Sequence, residues 1–188
     1  MALNLIAPEQ LPAWVPGQLT AQSPREGWDG ISVRGYRYRG SDVQVPSMRD
    51  YMVVVYRRGS TSMRRKIDGA WATEEVRPGD VSLLTRAEES RWVWPDTIEV
   101  LHVYLTQDEL AETCRQMYDR EVRDVHLRNE VKTDDPAIHR TALLIADEAL
   151  HGGVGSALLV QSLACQLSVH ILRRHAESCS ASHRVTTD

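Results

Sequence analysis

A chain of 188 residues, 42% of them hydrophobic, can form one core and a helical appendage, but not two complete domains. Its formal net charge of −4 repels nucleic acid and anionic lipid at long range, so the chain alone is expected to bind neither. Its three cysteines, Cys114, Cys165 and Cys179, form no even disulfide set. No stretch approaches the ~18 apolar residues of a membrane span. Together these two observations predict a cytoplasmic protein.

Residues 1–30 are rich in proline and glycine and keep no helical or strand period, which predicts an irregular N-terminal arm. After residue 30 the sequence changes to short β-rich runs, separated by turns such as Asp68-Gly69. The strands predicted from these runs are 31–38, 43–45, 51–57, 62–67, 71–76, 81–84, 90–94 and 98–105. Many short strands without an intervening helix indicate an antiparallel sandwich or barrel.

Beyond the last strand the apolar spacing becomes helical, and three helices are predicted. Thr106 and Glu109 form a capping box at the start of the first helix, which runs to about residue 121. Asp135 caps the second helix before a proline, and glycines 152 and 153 end it. The polar residues 177–188, which follow the third helix, are predicted to be a disordered tail.

The third helix, from a cap at Ser156 to about residue 175, leads to a dimer prediction. Its apolar side chains repeat every four residues, and Leu158 and Val160 widen the apolar face beyond what one buried contact needs. One side of the helix is therefore expected to pack on the barrel and the other on a second copy, in a two-fold dimer. The predicted interface residues are Leu159, Leu163, Leu167, His170 and Ile171. A helix that only covers its own barrel is the alternative.

The turn Arg77-Pro78-Gly79-Asp80, the tryptophans at 92 and 94 and the strand 99–105 resemble the core of the effector domain of AraC-like transcription regulators. The order of an N-terminal arm, a barrel containing a Pro-Gly-Asp turn and C-terminal helices is also similar, over roughly residues 43–176. The resemblance implies a mainly β plus α fold, with a cupin-like (jelly-roll) barrel followed by two to three C-terminal antiparallel helices.

The resemblance also implies a division of the chain. The expected parts are an N-terminal arm (1–30), a cupin-like sensor barrel (31–105), a helical dimerisation region (106–176) and a linker or tail (177–188). A complete regulator of this family carries two helix-turn-helix motifs after the dimer helices. The DNA-binding domain is therefore expected to be absent from this chain, and DNA is expected to be a partner only through that domain.

The last barrel strand is apolar on both faces, because Leu101, Val103 and Leu105 alternate with Val100, His102 and Tyr104. Both faces must then be covered, one by the helices and the other inside the barrel. His102 and Tyr104 would bring hydrogen-bonding groups to this interior. A filled core with a satisfied histidine is the alternative.

Further side chains are candidates for binding an effector. The indoles of Trp92 and Trp94 share a face and could stack on a planar or sugar-like ligand, or they are ordinary core aromatics. Arg34 and Tyr36 share a face and could meet an acidic effector, or they are exposed edge residues. The family resemblance implies that the effector pocket is lined by Trp92, Val100, His102 and Gln44. The predicted ligand-binding set is Arg34, Tyr36, Gln44, Trp92, Trp94, Val100, His102 and Tyr104.

Catalytic signatures are weak in this sequence. A metal-dependent cupin needs several histidines and a carboxylate in the barrel, but only His102 lies in a predicted strand, so no metal or cofactor is expected. No Gly-x-Ser-x-Gly motif is present. We therefore predict a non-enzymatic module that binds a small-molecule effector and forms a homodimer, without a membrane partner. A stand-alone cupin isomerase or dioxygenase and a ligand-free dimerisation module are the alternatives.

Overall fold

A computed structural model describes residues 5–24, 27–119 and 121–181, and these residues form strands, α-helices and one 3-10 helix. The helices are the 3-10 helix Pro8–Ala13, α1 (Gln107–Tyr118), α2 (Pro136–His151) and α3 (Ser156–Arg174). The strands are β1 (Gln18–Gln22), β2 (Ile31–Tyr38), β3 (Ser41–Val45), β4 (Tyr51–Arg58), β5 (Thr61–Ile67), β6 (Ala70–Val76), β7 (Val81–Leu84), β8 (Ser90–Trp94), β9 (Ile98–Leu105), β10 (Val122–Leu127) and β11 (Ala176–Ala181).

Two antiparallel sheets make the barrel. One has the strand order β1-β2-β9-β4-β7, and the other has the order β3-β8-β5-β6. All the strands predicted between residues 31 and 105 are present, and β2, β7, β8 and β9 have the predicted bounds. The predicted mainly β plus α fold, a jelly-roll sandwich followed by C-terminal helices, is confirmed.

Strand β9 separates two apolar cores. Leu101, Val103 and Leu105 pack with side chains of the three α-helices in one core. Val100 and Tyr104 face the other way, into a core that joins the two sheets. This arrangement confirms the interpretation of the strand as covered on both faces, which follows from the alternation of its side chains.

The N-terminal segment is more regular than predicted. Residues 18–22 form β1, which pairs antiparallel with β2 in a register that places Gln18 opposite Arg37. The prediction of an irregular arm is therefore wrong for β1 and for the 3-10 helix. Both elements are too short to show a period in the sequence. The prolines did not exclude a helix, because proline is tolerated in the first turn. The division of the chain at residue 30 stays a prediction.

The helix starts agree with the sequence, except in two details of capping. The Thr106 hydroxyl accepts from the backbone N–H of Glu109 at 3.2 Å, but the backbone N–H of Thr106 donates to the Gly30 carbonyl, so Glu109 does not complete a capping box. The α3 cap is Gly155, with a φ of 84°, and not Ser156. Asp135 caps α2 as predicted, accepting from two backbone N–H groups.

The segment after α3 is also more regular than predicted. Residues 176–181 form β11, which pairs antiparallel with β10, so the prediction of disorder from residue 177 is wrong up to Ala181. The strand is built of small and polar residues and shows no apolar alternation, so its stabilising contribution comes from backbone pairing. Residues 182–188 of the predicted tail lie outside the described residues.

No helix in the described part of the chain is both long and apolar enough to cross a bilayer.

The Pro-Gly-Asp turn before β7 is closed by Asp80. Its buried carboxylate accepts from the backbone N–H of Arg77 at 2.9 Å and lies 3.5 Å from Lys132 Nζ. We expect Asp80→Ala to lower the free energy of unfolding by about 1–3 kcal/mol, because the Arg77 N–H loses its acceptor. Asp80→Asn keeps an acceptor and should lose less. Urea denaturation of both variants measures this, and an Ala variant as stable as wild type would contradict it.

Candidate functional site

The interior between the two sheets is the candidate site. Six of the predicted ligand-binding residues lie there, on the inward faces of β2, β8 and β9, and all are buried. They are Tyr36, Trp92, Trp94, Val100, His102 and Tyr104. Inward positions on adjacent strands are brought together by the pairing of β2 with β9, which places Tyr36 opposite Val100 and Arg34 opposite His102.

Aromatic rings form a continuous cluster in this interior. Tyr36 and Tyr38 stack with ring centroids 5.2 Å apart, and Trp94 meets Tyr38 edge-on at 5.9 Å. The His102 ring lies 5.2 Å from that of Tyr36, and its Nδ1 is 3.0 Å from the Tyr104 hydroxyl. Such contacts hold the side chains in defined orientations.

A small cavity of about 50 Å³ lies within this cluster. Its lining is mostly apolar and comprises Leu11, Val15, Tyr38, Val43, Val45, Met52, Val54, Tyr56, Met63, Trp92, Trp94, Ile98, Val100 and His102. A water molecule needs roughly 10–15 Å³ of such space, so the cavity has room for a few waters. Pockets for drug-sized ligands measure about 300–1,000 Å³, so such a ligand requires the walls to move.

Two buried polar atoms that lack a hydrogen-bond partner among the described residues belong to residues that line the cavity. They are the Tyr38 hydroxyl and the Trp94 Nε1, and both are buried. By contrast, the Trp92 Nε1 donates to the Ser90 hydroxyl at 2.9 Å. Leaving such a buried group unpaired costs about 1–3 kcal/mol, which a water or a ligand acceptor in the cavity would offset.

Burial keeps His102, Tyr38 and Tyr104 neutral in this interior. Burial lowers the pKa of His102 to about 3, because the imidazolium form would lose its hydration. Burial likewise raises the pKa of Tyr38 and of Tyr104 far above their ordinary value. These groups therefore act as neutral hydrogen-bonding groups near pH 7.

The N-terminal segment closes one end of the barrel. Leu11 of the 3-10 helix and Val15 are buried and contribute to the cavity wall. Above them, Arg34 Nη2 lies 3.9 Å from the Glu9 carboxylate of the same helix. The Arg34 side chain is 18% exposed and that of Glu9 is 59% exposed, so this ion pair lies at the protein surface.

The structure corrects one predicted ligand-binding residue and adds others. Gln44 is exposed and points away from the interior, because Val43 and Val45 take the inward positions of β3. Tyr38 belongs to the site and could have been found, since it shares a face with Tyr36. Leu11 and Val15 could not be found, because nothing local shows where the N-terminal segment packs.

A buried arginine also lies in the interior. Arg65 of β5 is 3% exposed, donates to the Leu83 carbonyl at 3.1 Å and places its guanidinium 5.1 Å from the Trp92 ring centroid. Burial lowers the pKa of Arg65 to about 10. The sequence shows this residue only as one of several basic residues on β5, so its inward position required the structure.

The predicted dimer residues fall into two groups. Leu163, Leu167 and Ile171 are buried in the chain's own core, so the prediction that they form an accessible interface is corrected. Leu159 is 47% exposed and remains available to a partner. His170 is partly exposed, and its Nε2 lies 2.8 Å from the Asp135 carboxylate. The face of α3 that packs in the chain's own core, against α1 and α2, is thus the one predicted to meet a second copy.

We expect His102 to make the protein less stable in acid. Its pKa is lowered in the folded state and about 6.5 in the unfolded chain, so its contribution to stability is present above pH 6.5 and is lost as pH falls towards 3. Between pH 6.5 and 5 the loss is about 2 kcal/mol, from ~1.4 kcal/mol per pH unit. In urea denaturation, the stability difference between wild type and His102→Gln should change by that amount. A difference independent of pH would contradict this expectation.

Comparisons with known proteins show the fold. No family model matches the chain, and no curated protein matches it. The AraC-like transcriptional activator CuxR is 10% identical, matches 91% of this chain and 59% of its own length, and gives a TM-score of 0.59. The Clostridium difficile EutQ protein is 10% identical, matches 47% of this chain and 61% of its own, and gives a TM-score of 0.40. The predicted resemblance to an AraC-like regulator is thus confirmed for the fold, and this chain spans 59% of the length of CuxR.

Proposed function

We propose that this chain is the ligand-sensing and dimerisation portion of an AraC-type transcription regulator, is not an enzyme and acts in the cytoplasm. A small-molecule effector binds in the barrel, and DNA is bound by a separate helix-turn-helix portion. The fold shared with the AraC-like activator CuxR supports this proposal. The observation that carries it is a cavity closed by the N-terminal segment, with two buried donors, on Tyr38 and Trp94, that lack partners among the described residues.

The N-terminal segment is the element that a ligand would move. Leu11 and Val15 fill space that a larger ligand needs, and their apolar contacts hold the 3-10 helix on the barrel. The ion pair of Glu9 with Arg34 adds little, because exposed pairs contribute about 0–1 kcal/mol. An acidic effector could therefore take the place of Glu9 on Arg34. The N-terminal segment can be packed on the barrel (closed) or released from it (open). An effector changes the balance between these two arrangements only if it binds them with different affinity.

Exposed apolar side chains support the dimer part of the proposal. They lie on the second half of α2, in the turn after it and in the first turn of α3, and comprise Leu144, Leu150, Val154, Leu158 and Leu159. Several exposed large apolar side chains on neighbouring elements are typical of an interface. The proposed homodimer contact is therefore at the α2–α3 turn, and Leu159 is the one residue it shares with the sequence prediction.

The side chains of the barrel favour binding over metal-dependent catalysis. Among the described residues, the interior core contains one histidine, His102, and one imidazole cannot hold a metal ion. The interior also contains Arg65, a cation without a carboxylate hydrogen bond in the described part of the chain. These features suit recognition of a ligand with oxygen acceptors.

Calorimetric titration with sugars, hydroxy acids and aromatic acids tests the effector. A ligand that accepts from Tyr38 and Trp94 should bind wild type and lose about tenfold in affinity in Tyr38→Phe or Trp94→Phe. Tyr38→Phe should not lower the free energy of unfolding, since it removes only an unpaired hydroxyl, whereas Trp94→Phe also removes buried ring volume and should lower it. Trp14→Phe, at an exposed position outside the cavity, is the matched control. Equal binding by all four proteins would contradict the proposed site.

A ligand-free dimerisation module is the second candidate, and the small cavity favours it. At about 50 Å³ the barrel is nearly filled in this arrangement. If it never opens, no compound of the panel should raise the unfolding temperature. A dimeric mass in solution together with that result would favour this module over the sensor.

A further inference from the structure

Three potential metal ligands meet where the start of α2 approaches the end of α3. The Asp135 Oδ2 lies 2.8 Å from His170 Nε2 and 2.8 Å from His175 Nε2. The three ligand atoms lie within 4.8 Å of one another. His170 and His175 are on α3 and at its C-terminal cap, whereas Asp135 caps α2, so the tertiary packing of the two helices creates the cluster.

Two of the three ligands are held in place by a further contact. The other oxygen of Asp135 accepts from the backbone N–H groups of Ala137 and Ile138, both at 3.1 Å. The His175 Nδ1 lies 3.0 Å from the Glu130 carboxylate. A proton on Nδ1, held by this carboxylate, leaves the Nε2 lone pair free for a metal ion, which is the arrangement common around histidine ligands.

Burial and charge also suit a cation. The side chains of His175 and Asp135 are 7% and 12% exposed, while that of His170 is 28% exposed and provides access from solvent. The Asp135 carboxylate, which contacts both histidines, supplies the negative charge that a cation needs. The carbonyl end of α3 adds partial negative charge beside His175.

We propose that Asp135, His170 and His175 bind a divalent transition-metal ion of the Zn²⁺ class. Two imidazole nitrogens and one carboxylate oxygen suit Zn²⁺, Co²⁺ or Ni²⁺, whereas Mg²⁺ and Ca²⁺ prefer oxygen ligands. Bonds of about 2.0–2.1 Å to a tetrahedral ion separate ligand atoms by roughly 3.3 Å, so the aspartate and each histidine need to move apart by about half an ångström. Water completes the coordination, and the ion replaces the Nε2 protons. The site lies outside the barrel and does not depend on effector binding.

Metal titration of the full, untagged chain tests this site after treatment with a chelator. Calorimetry with Zn²⁺ should show one ion per chain, and Co²⁺ should give the visible absorption of a four-coordinate site. His170→Ala removes one ligand at a partly exposed position. Asp135→Asn removes the metal-binding oxygen but keeps an acceptor for the α2 cap. Each variant should weaken Zn²⁺ binding by at least about tenfold.

The matched control is His151→Ala. His151 also contacts a carboxylate on α2, with its Nδ1 3.0 Å from Asp147, but both side chains are exposed and belong to no three-ligand group in the described residues. This variant should bind Zn²⁺ like wild type. The proposal is overturned if wild type binds no stoichiometric Zn²⁺, or if folded His170→Ala and Asp135→Asn, checked by circular dichroism, bind it as tightly as wild type. That result would identify the contacts as a hydrogen-bonded link between α2 and α3 only.

Discussion

Replacing Leu167 by alanine is expected to lower the free energy of unfolding by about 2–5 kcal/mol, because the side chain lies in the core that joins the barrel to the helices. Leu167 is 1% exposed within a single chain, so the loss arises from a cavity in the protomer and not from a broken dimer. Urea denaturation at a fixed protein concentration measures the effect, since association would otherwise contribute.

The matched control is Leu158→Ala, nine residues earlier on the same helix. Leu158 is 74% exposed, so its removal should change the free energy of unfolding of the protomer by about 0.5 kcal/mol or less. In the proposed dimer it should instead weaken association, which light scattering over a concentration series detects. The opposite pattern, a Leu167→Ala variant that dissociates without loss of protomer stability, would show that the buried face of α3 meets the partner.

Truncating Leu11 to alanine should release the N-terminal 3-10 helix from the barrel. Leu11 is 1% exposed and lines the cavity, so its truncation should cost about 2–5 kcal/mol. A short terminal segment can detach by itself, so most of this loss should appear as local opening. The amides of Trp14 and Val15, both bonded to the Leu11 carbonyl, should exchange about 30-fold faster or more, the factor for ~2 kcal/mol.

Leu19→Ala separates this effect from a general weakening of the N-terminal region. Leu19 lies on β1, close to the 3-10 helix in the chain, but is 44% exposed and does not line the cavity. Its variant should leave the Trp14 and Val15 amides protected. Unchanged exchange in Leu11→Ala would contradict the view that this segment is held by the cavity wall. It would also remove the element that the sensor proposal expects a ligand to move.

Local sequence patterns predicted most of the barrel and all the α-helices. The alternation along β9 predicted a strand covered on both faces, because successive side chains point to opposite faces whatever the fold. Asp135 before proline predicted the start of α2, because a cap acts within one helical turn. Strand pairing was not predictable for β1 and β11, since short polar runs gain their stability from neighbours that are distant in the sequence.

The residues of the candidate sites also divide into those that local sequence identified and those that only the tertiary structure placed. Tyr36, Trp92 and His102 were identified from their positions on strands, and the structure buries them in one interior. Gln44, which the family resemblance implied, is exposed because Val43 and Val45 take the inward positions of β3 and successive side chains alternate between the two faces. For α3 the apolar stripe predicted a buried face, but the periodicity of a helix does not say whether its own chain or a second copy covers that face.

Taken alone, the sequence determined the strands between residues 31 and 105, the three α-helices, the cap of α2 and the faces that must be buried, because these depend on residues a few positions apart. The tertiary structure decided what each buried face touches: the N-terminal segment in the barrel end, Arg65 beneath Trp92, and the meeting of Asp135 with His170 and His175. The physical reason is that such contacts join residues tens of positions apart. Their distances follow from the packing of whole elements, which no local pattern records.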